Sequence, residues 1–219
     1  MGEKREVDMP ELYVAKVDYE EAKKLADFAS IYQDLSFTVD VLKRLIQLVE
    51  EDNEDSILTQ SLWTAALISY VRCFSSGKRF GSGLQENIFE DLEYDPELED
   101  DPITCHRYYK NLRDKHIAHS VNPFEQVEVG LILSEPDNPD REIQGVATLL
   151  QKLIHLDVEG LKSLLRLVLF AKEEVRKQAK ECETRTLEVG KGLPIDALYS
   201  KARVRIITPA PVDAGRARK

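Results

Sequence analysis

Leu35, Val39, Leu42, Ile46 and Val49 step by four, three, four and three residues, the spacing of one apolar stripe along a helix. The run before it, from about Tyr19 to Tyr32, is rich in Glu, Ala, Lys and Leu and predicts helix as well. LTQSLWTAALISYVRCF is apolar nearly all round, so a helix there, capped by Asp55 or Ser56, belongs at the centre of a bundle with Trp63 as core packing. Gly77, Gly81 and Gly83 interrupt that helix, and a short amphipathic helix is expected to follow. Asp101 and Pro102 form a cap and first-turn pair, opening a helix through ITCHRYYKNLRDKHIAH that stops near Asn122 and Pro123. Val127, Val129, Leu131 and Leu133 alternate strictly, which predicts a strand with one buried face; SEPDNPD is turn-rich, and REIQGVATLL returns as the second strand of a hairpin. The last long helix starts near Asp157 and carries Val158, Leu161, Leu164, Leu165, Val168 and Val175 at helical spacing. Its far end, KEEVRKQAKECETR, is polar and is expected to project beyond the core or pack against a partner. No internal repeat is visible.

These elements predict a mainly α fold, an antiparallel helical bundle with an inserted β-hairpin near 124–150. The helical domain is expected over 1–190, followed at 191–219 by a partly disordered basic tail in which LPIDALYSKARVRIITPAP holds a short strand or helix.

Composition narrows the class. The chain has 219 residues, 42% of them hydrophobic, which suits an ordinary soluble fold and argues against wholesale disorder. No apolar run approaches the roughly 18 to 20 residues of a membrane span, and MGEKREVDMPE lacks the apolar core of a signal peptide, so a cytoplasmic protein without membrane attachment is expected. Cys73, Cys105 and Cys182 lie far apart and suggest reduced thiols. The net charge of -10 is unevenly spread: Lys201, Arg203, Arg205, Arg216, Arg218 and Lys219 against Asp213 give +5 at the end of the chain and leave -15 for residues 1 to 200. A nucleic acid would be repelled by the body as a whole and must use a local basic patch. Glu86 to Asp101 holds nine carboxylates and no Lys or Arg, the pattern of a solvated surface loop.

Candidate chemistry concentrates in one place. His106, His116 and His119 fall close together beside Arg107, Lys110, Arg113 and Lys115. Lys78 and Arg79 in the glycine loop are further candidates for phosphate contact, although the loop lacks the GxxxxGK[ST] spacing that wraps a phosphate, and a plain interhelix connection accounts for it as well. Cys105, His106, His116 and His119 are zinc-ligand types, but neighbouring residues 105 and 106 point about 100° apart on a helix and no carboxylate completes a tetrahedron, so neither a metal nor another cofactor is expected.

Arg113-Asp114-Lys115-His116-Ile117-Ala118-His119 resembles the motif of HEPN domains, the all-helical "higher eukaryotes and prokaryotes nucleotide-binding" superfamily: an Arg, a polar residue, then a His after four to six intervening positions. The spacing here is five, with Asp114 where Asn is frequent. The resemblance covers roughly residues 20 to 180 and is sharp only in the motif. It implies a metal-independent endoribonuclease of toxin-antitoxin or phage-defence type, a homodimer that brings two motifs together, and an antitoxin or nucleotidyltransferase partner.

The residue types fit cleavage by 2′-OH attack. His119, with an ordinary pKa near neutrality, suits general acid or base work. Arg113 supplies a two-pronged, permanently charged phosphate clamp. Asp114 is placed to orient one of these groups or to cap a partner group, and His116, Lys115, Lys110 and Arg107 to position RNA. On an ideal helix Arg113 and His119 lie about 120° apart, so their convergence requires a reaching Arg113, an unwound helix end or a second protomer. Two other readings compete. Cations in a last helical turn also meet the helix's negative end with no catalytic role, and a noncatalytic module binding nucleotide, RNA or protein would use the same cluster as a polar interface while the +5 tail supplies electrostatic attachment.

Overall fold

A computed structural model describes residues 13–52, 55–75, 83–93, 101–117, 125–137, 139–152 and 157–202, with backbone only at 116–117, 125–127 and 150–152. The fold is mainly helical with one small antiparallel sheet. Its elements are α1 (Glu20–Glu50), α2 (Ser56–Arg72), a 3-10 helix (Glu86–Asp91), α3 (Pro102–Leu112), a π-helical turn (Arg113–Ile117), β1 (Glu125–Leu133), β2 (Ile143–Lys152), α4 (Val158–Lys191) and α5 (Ile195–Lys201).

Local chemistry sets the helix starts. The Asp55 carboxylate accepts from the Leu58 amide at 2.9 Å, Asp101 from Ile103 and Thr104 at 3.0 and 3.1 Å, and Asp157 from Gly160 at 2.6 Å, each satisfying first-turn donors that have no partner inside the helix. α1 continues unbroken through Tyr32 into the apolar stripe and stops where Asp52 takes a φ of 50°.

α1, not α2, occupies the centre. It packs along α4 on one side and α2 on the other, and Ile31, Leu35, Val39, Val41, Leu42, Leu45 and Leu48 are all buried, a set too broad for a single contact face. α2 buries Trp63, Ala66, Leu67, Tyr70 and Val71 but leaves Ile57, Leu58 and Ile68 at the surface, which corrects the expectation drawn from its all-round apolar sequence. α1 and α4 run antiparallel over nearly their whole lengths. Lys162 lies 3.8 Å from Glu50 at one end, Lys172 stands over the Tyr32 ring in the middle, and the Tyr19 hydroxyl donates to the Thr186 carbonyl at the other. The polar far half of α4 thus packs on the chain's own α1, burying Val175 and Cys182.

The acidic run is not wholly a solvated loop. Its first residues form the 3-10 helix that drives Phe89 into the core against Phe74. Gly83 makes this possible. A Cβ there would lie 2.7 Å from the carbonyl oxygens of both Cys73 and Ser75, whereas the bare backbone lets Leu84 donate to Cys73 at 2.8 Å.

β1 and β2 form the expected hairpin, registered from Glu125 opposite Lys152 to Leu133 opposite Ile143. The strictly alternating face is exposed rather than buried: Val129 and Leu131 of β1 stand in solvent, since no helix of the described chain packs across them.

Candidate functional site

The site is built on α3. Ile103, His106, Tyr109 and Leu112 recur every three residues and face the core. The His106 imidazole lies 2.8 Å from the Tyr70 hydroxyl, with the rings of Phe74 and Phe89 at 4.4 and 5.2 Å. Burial, reinforced by the Lys110 charge, lowers the His106 pKa to about 4, and burial pushes the Tyr70 phenol well above its ordinary range. Both are neutral near pH 7. His106 is therefore a core residue, and its three-residue spacing with Ile103 and Tyr109 is the signal in the sequence that separates it from the other histidines.

Tyr109 meets Trp63 edge-on and donates through its hydroxyl to the Gly160 carbonyl at 2.6 Å. Passing from His106 to Tyr109 along α3 thus passes back from Tyr70 to Trp63 along α2. The two helices run antiparallel, and the π-helical turn that follows packs against α2. Its wider i→i+5 ladder departs from the α-helical geometry assumed from sequence, and such turns recur at functional sites.

The cations separate into two groups. Arg107 grips both carboxylate oxygens of Glu86, at 3.2 and 2.8 Å, and this hydrogen bonding holds the Glu86 carboxyl below its usual range. That ion pair ties α3 to the 3-10 helix and turns Arg107 away from the motif. Arg113 instead stays within it: its Nη1 donates to Asp114 Oδ1 at 2.8 Å, with the two side chains 33% and 43% exposed. Asp114 is thus in contact with Arg113, one of the two groups between which the sequence left its role open. Lys110 and Lys115 are exposed around them. His116 is placed by its backbone on the π-helical turn, whereas His119, Lys78 and Arg79 lie outside the described residues. Among the described residues, no cluster of His, Cys, Asp or Glu could hold a metal ion, and no helix is long and apolar enough to cross a membrane.

Comparisons with protein families, curated proteins and solved structures return no match for this chain.

Proposed function

We propose that the chain is a metal-independent endoribonuclease of HEPN type, cutting RNA by attack of a 2′-OH on the adjacent phosphate, with Arg113 holding the phosphoryl oxygens, Asp114 orienting Arg113 and His119 moving the proton. The observation that carries this reading is the Arg113–Asp114 pair at 2.8 Å on a π-helical turn, half open to solvent and flanked by exposed Lys110 and Lys115. A guanidinium steadied by a carboxylate on one side keeps donors free on the other, and those donors suit a phosphate's oxygens. The charge of -15 over residues 1 to 200 disfavours long nucleic acid on the body at large, so contact falls to local basic groups such as this patch and the +5 stretch at 201–219. The reading includes a homodimer that joins two motifs and a cytoplasmic setting, as a toxin or defence effector held in check by an antitoxin or nucleotidyltransferase partner.

The same negative charge also favours a second reading, a noncatalytic module in which this patch binds a nucleotide, RNA or protein segment. One experiment separates the two. Wild type, Arg113→Ala and His119→Ala, each checked for folding and association state, are incubated with a mixed RNA pool in EDTA. Products with 2′,3′-cyclic phosphate ends, absent from both variants, support the nuclease; binding without cleavage by folded wild type supports the module.

A further inference from the structure

Among the described residues, no element packs across one face of the hairpin. Val129, Leu131 and Leu133 of β1 lie beside Val146 and Ile143 of β2 on one face, and these five side chains are between 59% and 72% exposed. A two-stranded hairpin is marginal in water by itself, and a contiguous apolar patch of this kind marks a contact surface. Area and charge decide what fits it. Nine paired residues make a face about 30 Å long and about 10 Å wide, roughly 300 Å². Two folded surfaces in stable association bury about 800 Å² each, so a second copy stacked face to face is too small a contact. An added strand gains more, because it takes up the open ladder of backbone donors and acceptors along an edge as well as the apolar face. Among the described side chains, the hairpin's exposed charges are Glu128, Glu135, Asp137, Asp140 and Glu142 against Arg141, which selects a cationic partner. β1 carries Glu128 on the face opposite Val129 and Leu131, while residues 143–149 of β2 carry no charge, so the β1 edge is the complementary one.

We infer that the hairpin binds an extended, cationic segment of a partner protein as a third strand along β1. The segment's apolar side chains lie beside Val129, Leu131 and Leu133, and its Lys or Arg residues lie on the face of Glu128. This interaction does not depend on the nuclease reading.

The test uses the intact chain and a fluorescent seven-residue peptide alternating Val with Lys, followed by anisotropy. Saturable binding is expected. It should weaken about tenfold for a peptide of the same composition with its lysines in one block, for a peptide N-methylated at alternate positions to remove the ladder donors, and for the Leu131→Thr chain. Val129→Thr, nearly isosteric and favourable in a strand, gives the same direction if Leu131→Thr disturbs the hairpin, and Glu128→Gln should reduce the dependence on salt. Equal binding of the block or N-methylated peptide would show charge attraction without strand addition and overturn the proposal, as would no binding at all. So would a dimer of the chain that Leu131→Thr dissolves, since the face would then belong to a second copy.

Discussion

The Tyr70 hydroxyl and His106 Nδ1 share a hydrogen bond of 2.8 Å inside a shell of aromatic rings, and this buried polar contact joins α2 to the helix that carries the motif. Its energetics depend on pH. The unfolded chain protonates His106 near pH 6.5, whereas the folded protein resists until about pH 4. Between those values the unfolded state holds the extra proton, so stability is present above pH 6.5 and falls as the solution is acidified through that window, by on the order of 3 kcal/mol. His106→Gln, which keeps an acceptor for Tyr70, should flatten the melting temperature between pH 6.5 and 4 relative to wild type. Parallel curves for the two proteins would exclude His106 as a source of acid sensitivity. Tyr70→Phe, measured at pH 7, should cost about 1–3 kcal/mol by leaving the imidazole without its partner.

Gly83→Ala tests how tightly the segment after α2 is pinned. The new Cβ would fall 2.7 Å from two backbone carbonyl oxygens, which cannot swing aside as a flexible side chain does. The expected loss is about 1–3 kcal/mol, read as a lower urea midpoint with an unchanged slope. A midpoint equal to wild type would mean that Leu84 and Phe89 are not held against the core through this contact.

Asp157 caps α4 by accepting from the Gly160 amide, and the Gly160 carbonyl accepts from Tyr109 on α3. The cap thereby steadies the turn on which the motif helix rests. Asp157→Ala should cost about 1 kcal/mol and Asp157→Asn much less. Chemical denaturation of both variants checks the ordering, and equal losses would assign the effect to charge instead of the cap hydrogen bond.

What the sequence made legible followed from local chemistry. The cap at Asp101, the helix starts at Asp55 or Ser56 and near Asp157, and the hairpin itself need only the residue types and spacing beside them. The order of packing does not follow from spacing. α2 looks more apolar than α1, yet α1 lies between two partners, and buried Thr38 and Asp27 conceal the breadth of its inward surface. His106 and Arg107 read as members of one cationic cluster because they are close in sequence. The helix turns them to opposite duties, one sealed against Tyr70 and the other closing on Glu86. Alternation from Val127 to Leu133 marks an apolar face, but nothing in the alternation says whether the same chain covers it. For the motif, the sequence left open which group Asp114 meets, and the contact with Arg113 came from the fold.

That contact gives the sharpest chemical prediction. If Asp114 steadies Arg113 for phosphate binding, Arg113→Ala should lower RNA cleavage about 10²–10³-fold, the usual loss on removing one transition-state donor. Arg113→Lys should recover little, since an ammonium cannot reproduce the planar two-pronged donor set. Asp114→Ala should lower kcat about tenfold through a misplaced guanidinium while leaving KM close to wild type, and Asp114→Asn, which keeps an oxygen acceptor, should fall between. Arg107→Ala should leave the rate nearly unchanged, because its guanidinium is committed to Glu86. The opposite pattern is equally readable. Should Asp114→Ala tighten RNA binding without slowing cleavage, Asp114 would be a competitor for the guanidinium that substrate must displace, and its role in orienting Arg113 would have to be abandoned.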